Sequence, residues 1–115
     1  MLENHIESAA LERQFTSLCS RLGLSEEEVC FLTGLDRRGR RPAPDDVHRE
    51  TCIRLLLQLE PLLVDLMGAE ELMAWLRRDA FGQTPLLFLA TGPESMRGMI
   101  HATVSLLRDR EGSRS

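Results

Sequence analysis

The segment from Val47 to Met67 constrains the fold more strongly than any other part of the chain, because nearly every side of it is apolar. A helix that is apolar all round is normally buried. Asp45 and Asp46, directly before it, supply the N-cap side chain and the negative charge that favour a helix start. We therefore predict a central buried helix, either of one domain or of a dimer. Pro61 removes a backbone donor within this segment, so we expect a kink or a break there.

Helical patterns also dominate the rest of the chain, and no segment has the alternation expected of a β-strand. Ser25 and Glu28 form the pattern of a capping box at a helix start. The predicted helices cover residues 7–21, 25–34, 47–67, 69–78, 85–90 and 93–110. A length of 115 residues suits one compact domain. We therefore predict an all-α fold, a single small domain of about five to six helices.

The shortest predicted helix, from Pro85 to Ala90, is bounded by residues that favour helix ends. Thr84 is a good N-cap, Pro85 suits the first helical position, and Gly92 suits a left-handed position after the last turn. Helices shorter than about 12 residues are marginal in water, so this one requires packing against other elements. The pattern leaves open whether its apolar side chains belong to the core or to a contact surface.

The first two predicted helices are joined by the tight turn Leu22-Gly23-Leu24-Ser25, which is typical of the first half of a helix-turn-helix. The segment that follows contains Gly39, Pro42 and Pro44. Inside a helix, glycine costs about 1 kcal/mol and proline about 3 kcal/mol. Two turns of stable helix therefore do not fit between Asp36 and Pro44, and we predict that the recognition helix is absent.

The same segment contains a dense group of arginines, at positions Arg37, Arg38, Arg40 and Arg41. Three interpretations stay open: a solvated loop, a contact with nucleic-acid phosphates, and a contact with an acidic protein. Closely spaced guanidinium groups bind phosphates in a salt-dependent way and do not read bases. The net charge of −4 argues against a globally basic nucleic-acid binder. Because we predict that the recognition helix is absent, DNA is a possible but doubtful partner.

Composition indicates a soluble, cytoplasmic protein. Hydrophobic residues make up 43% and charged residues 28%, which is ordinary for a globular chain. The amino terminus is too acidic for a signal peptide, and no run approaches the roughly 20 apolar residues that cross a bilayer, so we predict no membrane association. Cys19, Cys30 and Cys52 contain no CxxC pair, and we predict buried thiols in a reducing compartment.

Few residues suggest catalysis or metal binding. The histidines His5, His48 and His101 are isolated from one another, and we predict no metal site. Cys52 lies one helical turn from His48, which permits a thiol–imidazole pair, but the setting is apolar and a third partner is lacking. No glycine-rich phosphate loop follows a strand. We predict that the chain is not an enzyme and takes no cofactor.

The carboxy-terminal half contains a series of short motifs: Leu66-Met67-Gly68-Ala69-Glu70-Glu71, Ala74-Trp75-Leu76, Gly82-Gln83-Thr84-Pro85-Leu86 and Leu89-Ala90-Thr91-Gly92. In this order they resemble the toxin-binding domain of the Xre/MbcA/ParS antitoxin family, the cognate partners of RES-domain toxins. In that family a helix ending in an aromatic–Leu pair precedes a G-x-T-P helix and then a terminal helix. The stretch from Leu22 to Leu35 resembles the family's amino-terminal helix-turn-helix.

The resemblance implies an all-helical antitoxin that forms a homodimer and covers the active-site cleft of its toxin. The toxins of this family degrade or phosphorolyse NAD. By this resemblance, residues 1–45 are a degenerate Xre-like helix-turn-helix region, and residues 46–115 hold the central helix and the toxin-binding domain. The candidate toxin contacts are Trp75, Arg77, Arg78, Phe81, Gln83, Thr84, Arg97 and His101. The alternative is a small Xre-like transcriptional regulator without a toxin partner, which requires a recognition helix between Asp36 and Pro44.

Overall fold

The computed structural model describes residues 2–33, 46–79 and 82–113, and within these ranges it contains six helices and no β-strand. The helices are α1 (Leu2–Leu22), α2 (Glu26–Leu32), α3 (Asp46–Met67), α4 (Ala69–Leu76), α5 (Pro85–Ala90) and α6 (Pro93–Ser113). The predicted all-α fold is confirmed. None of these described helices is both long and apolar enough to cross a bilayer.

The turn between α1 and α2 is formed by local hydrogen bonds that the sequence pattern anticipates. Gly23 has a positive φ of 63°, and the N–H groups of Gly23 and Leu24 donate to the carbonyls of Ser20 and Cys19, which is a Schellman arrangement. A Cβ on Gly23 would lie 3.1 Å from Cε of Met73, so this turn also packs closely on α4. The predicted capping box is present: Ser25 Oγ accepts from the Glu28 N–H, and Glu28 Oε1 accepts from the Ser25 N–H.

The long helix α3 packs against α1, α4 and α6. Ion pairs join Arg21 to Glu60 and Glu12 to Arg49, at sequence separations of 39 and 37, so α1 runs parallel to α3. Near the other end of α3, the guanidinium of Arg110 donates to the Asp65 carbonyl oxygen at 3.1 Å and links it to the last turns of α6. This packing against three other helices agrees with the central position predicted for α3.

The core is almost entirely aliphatic, and α3 contributes the largest share of it. The buried hydrophobic residues of the core are Phe15, Leu18, Leu22, Leu32, Cys52, Ile53, Leu56, Leu59, Leu63, Leu72, Leu76, Leu89 and Met96. Of the kink or break expected at Pro61, the break does not occur, because α3 is helical on both sides of that residue, and the kink stays a prediction. Pro61 is exposed, so its ring meets solvent while the packed face of the helix continues through it.

The short helix α5 is both core and surface. Thr84 Oγ1 accepts a hydrogen bond from the Leu87 N–H at 3.2 Å, as expected of an N-cap, and Gly92 has a φ of 141° after the last turn. Leu89 is only 2% exposed, whereas Leu87 is 51% exposed and Phe88 39% exposed. The helix packs on α2, α4 and α6 through the Leu89 side. The other side is available for contact.

Replacing Thr84 by alanine is expected to lower the free energy of unfolding by about 1 kcal/mol, because the Leu87 N–H loses its side-chain acceptor. The measurement is equilibrium unfolding in urea. Thr84→Ser, which keeps the hydroxyl, serves as the control and should recover most of the loss. An unchanged midpoint for the alanine variant would show that the cap does not stabilise α5.

Candidate functional site

The candidate site is an apolar groove between α3, α4, α5 and α6, with a volume of about 350 Å³. We call it the Trp75 groove, and it is lined by Leu63, Leu66, Met67, Trp75, Phe88, Gly98, Met99, Ala102, Thr103 and Leu106. The only hydroxyl in this lining belongs to Thr103, and it donates to the Met99 carbonyl oxygen at 2.7 Å. The groove therefore offers a ligand apolar contact and almost no free hydrogen-bonding group.

Two large apolar side chains at the groove are left partly in solvent. Leu106 is 53% exposed, and Phe88, which lines the same groove, is also substantially exposed. Gly98 and Ala102 lie one turn apart on α6 and have little or no side chain, so that a partner can approach the helix backbone closely there. Met67 and Met99 add flexible side chains that adapt to different shapes. An exposed apolar groove is one kind of surface through which proteins bind each other.

Trp75 is the predicted contact residue that the structure places in the groove. It is half-buried and packs against the core cluster, and it also lines the groove. An aromatic side chain in this position can support the fold and anchor a partner at the same time. Both interpretations of the single tryptophan are therefore compatible with its surroundings.

Arg77 points away from this groove and makes several contacts within the chain. Its Nη2 lies 2.9 Å from the Gly23 carbonyl oxygen and 2.9 Å from Glu28 Oε1. Its Nη1 donates to the carbonyl oxygens of Met73 at 3.1 Å and Leu22 at 3.4 Å. The guanidinium thus connects the end of α4 to the turn between α1 and α2, and any contact with a partner would compete with these bonds.

Arg78 and Arg97, two further predicted contact residues, form exposed ion pairs. Arg78 pairs with Glu71 at 3.1 Å, and Arg97 pairs with Glu94 at 3.2 Å. Exposed pairs of this kind contribute little to stability. Both arginines can therefore exchange their present carboxylate for one on a partner at small cost.

The remaining predicted residues divide into three groups. Gln83 and His101 are exposed, and Thr84 is occupied as the cap of α5. On α6, His101 and Arg97 lie on a different side from the groove-lining positions, because a residue turns by about 100° along a helix. The predicted contact Phe81 and the predicted nucleic-acid contacts Arg37, Arg38, Arg40 and Arg41 lie outside the described residues.

Sequence reasoning missed Phe88 and Leu106 as surface residues. Leu106 is adjacent to Leu107 but lies off the stripe of Met96, Ile100 and Val104 that marks the packed side of α6. An apolar residue off the main stripe was therefore the available signal. Phe88 gave a weaker signal, because every position around it in α5 is apolar.

Glu28, on α2, accepts one of the hydrogen bonds that Arg77 donates. Burial alone would raise the pKa of its carboxyl group, but hydrogen bonds from the Ser25 N–H and the nearby Arg77 guanidinium outweigh it and lower the pKa below the ordinary 4.5. A group with a lowered pKa in the folded state adds stability above its ordinary pKa. That stability is lost as the pH falls through the lower folded-state pKa.

Replacing Arg77 by methionine is expected to lower the free energy of unfolding at neutral pH by about 1–2 kcal/mol, because several oxygen atoms lose a charged donor. Arg78→Met is the matched control and should change it by less than about 0.5 kcal/mol. Denaturant unfolding of both variants and of the unmodified chain provides the measurement. Equal losses in the two variants would contradict the role assigned to Arg77.

The difference between Arg77→Met and the unmodified chain should also shrink in acid. As the pH falls below the ordinary pKa of 4.5 and through the lower folded-state pKa, the Glu28 carboxylate is protonated, so less of its attraction to Arg77 remains to be removed. Unfolding curves taken between pH 7 and about pH 3 test this. A difference that stays constant over that range would show that the Glu28 charge does not contribute.

The thiol–imidazole pair that the spacing permits is present, and its thiol is held in the protonated form. Cys52 Sγ lies 3.6 Å from His48 Nε2. Burial raises the pKa of the Cys52 thiol, and the charge of Arg97 only partly opposes this, so the thiol stays protonated at neutral pH. Within the described ranges, no group of three or more histidine, cysteine or acidic side chains is placed to hold a metal ion.

Comparisons with protein-family models, with curated proteins and with solved structures found no match to this chain. The Trp75 groove is therefore interpreted from its own geometry and from the motif pattern of the carboxy-terminal half.

Proposed function

We propose that this chain is the antitoxin of a type II toxin–antitoxin pair and neutralises a RES-like, NAD-degrading toxin by binding over its active-site cleft. The Trp75 groove is the observation that carries the proposal. It lies in the same carboxy-terminal half as the motifs that resemble the toxin-binding domain of the Xre/MbcA/ParS family. An apolar groove between helices is suited to receiving an amphipathic helix of another protein.

The surface around the groove acts by binding the toxin and excluding the toxin's substrate. The lining of the groove offers apolar area and almost no free hydrogen-bonding group. Inhibition of an enzyme by such a surface requires only that the bound protein occupies or covers the substrate's path. This is the mode of action that the family resemblance implies.

The helix α5 is already ordered before a partner binds, and this order supports tight binding. The Thr84 cap determines the first turn, Gly92 determines the exit, and Leu89 anchors the helix in the core. A surface that is already ordered loses less conformational entropy on binding. Phe88 is therefore presented to a partner in a defined position.

Production of the chain together with the adjacent reading frame of its genome tests the proposal. The adjacent protein alone should stop growth and deplete cellular NAD, and co-production should restore both while the two proteins copurify. An adjacent protein that is harmless, or toxic without any effect on NAD, would contradict the proposed function. Binding of duplex DNA that depends on base sequence, without a copurifying toxin, would favour the transcriptional regulator instead.

A further inference from the structure

A second groove lies between α1, α3 and the start of α4, on a side of α3 different from the Trp75 groove. Its volume is about 450 Å³. We call it the Glu60 groove, and it is lined by Arg21, Leu22, Glu60, Pro61, Val64, Asp65, Ala69 and Leu72. A neighbouring hollow of about 380 Å³ shares Arg21, Glu60 and Pro61 with it. The two hollows therefore meet at the Arg21–Glu60 ion pair.

The carboxylate of Glu60 has unused acceptor capacity at this junction. Its two oxygens accept from Nε and Nη2 of Arg21, each at 2.7 Å, while the Glu60 side chain is only 10% exposed. Each carboxylate oxygen has two lone pairs, and Arg21 uses one on each. A second guanidinium can therefore share the same carboxylate without displacing Arg21.

Two further acceptors lie along the same surface. Asp65 is exposed, and within the described part of the chain its carboxylate has no hydrogen-bond partner, since Arg110 contacts only its main-chain oxygen. The Leu57 carbonyl lacks its usual donor four residues later, because that residue is Pro61 and proline has no N–H. Leu57 and Pro61 both line the neighbouring hollow. The surface thus offers acceptors and negative charge to a donor-rich ligand.

We propose that the Glu60 groove binds an arginine side chain of a partner protein. The apolar walls formed by Leu22, Val64 and Leu72 suit the methylene stem, and the carboxylates of Glu60 and Asp65 suit the guanidinium. Arginine fits better than lysine because its planar, weakly hydrated head makes paired hydrogen bonds with carboxylates. The groove lining contains one arginine and two carboxylates, so its charge is complementary to a cation.

An anionic ligand fits this site poorly. The carboxylates of Glu60 and Asp65 would repel it, and only the single guanidinium of Arg21 in the lining would attract it. A cation can instead bind beside the Arg21–Glu60 pair and leave it intact.

The inference rests on the proposed function only in taking the partner to be a protein, and its test needs no toxin. The ¹⁵N-labelled full chain is titrated with N-acetyl-arginine methylamide and followed by ¹H–¹⁵N NMR spectra. We expect saturable shifts at the amides of residues 60–72, and none there with the neutral isostere N-acetyl-citrulline methylamide. Asp65→Asn should weaken this binding by about tenfold, because the groove loses a charged acceptor.

Glu94→Gln is the matched control, because it removes the same single charge from an exposed site on α6 away from the Glu60 groove. It should leave the affinity for the arginine compound unchanged. The proposal is overturned by absence of shifts, by equal shifts with the citrulline compound, by unchanged affinity in Asp65→Asn, or by an equal loss in Glu94→Gln. Shifts at the same amides with N-acetyl-glutamate methylamide would assign the groove to an acidic ligand and also overturn it.

Discussion

Leu89→Ala is expected to lower the free energy of unfolding by about 2–5 kcal/mol, the usual cost of removing a fully buried leucine side chain. The loss combines the transfer free energy of the deleted methyl groups with the cavity left among the core side chains. Because α5 is too short to persist without packing, the same change should also reduce its protection from hydrogen exchange. Denaturant unfolding and exchange of the α5 amides provide the two measurements.

Leu87→Ala is the control for this prediction, since it deletes the same atoms from the same helix at an exposed position. It should change the free energy of unfolding by no more than about 0.5 kcal/mol. Similar losses for the two variants would show that α5 is not anchored through Leu89, and the description of this helix as half core and half surface would be wrong.

The second large effect is expected on partner binding. Replacing Phe88 and Leu106 together by serine should weaken capture of the proposed toxin by at least about 100-fold, because central apolar anchors of an interface each contribute about 2 kcal/mol or more. Calorimetric titration of the purified partner measures the affinity. Circular dichroism and urea unfolding of the free variant establish that the helices remain folded.

Val47→Ser is the control for the binding experiment. Val47 is 75% exposed at the start of α3 and does not line the Trp75 groove, so its replacement should leave the affinity unchanged. Leu106→Ser alone provides a further check, because Leu106 is the more exposed of the two groove residues. Unchanged affinity in the folded double variant would place the partner elsewhere on the chain.

The helix ends were predictable from the sequence to within a few residues. The capping box at Ser25, the Thr84 cap and the turn at Gly92 all occur as expected. The largest departures are at α1, which begins earlier than its apolar stripe, and at Pro61, which does not interrupt α3. In the second case the intrinsic cost of proline is outweighed by the packing of α3 against its neighbours.

The candidate site was less predictable. Trp75 was identifiable as the single tryptophan, whereas the bonds of Arg77 to Gly23 and Glu28 within the chain were not, and its contact with a partner stays a prediction. Residue type alone does not distinguish an arginine that connects two elements from one that awaits a partner. That distinction depends on which oxygen atoms the fold brings within reach.

The amino-acid sequence by itself determined which segments are helical and where they stop, because caps, glycines and prolines act on the backbone only a few residues away. The tertiary structure alone decided that Leu89 is covered and Phe88 is not, and that Trp75 and Leu106 line the same groove. Neighbouring apolar residues in a short helix have nearly the same chemistry, so their burial depends on what packs beside them. Here that packing brings α5 against α2 and α4, and α6 against α3, which is distant from it along the chain.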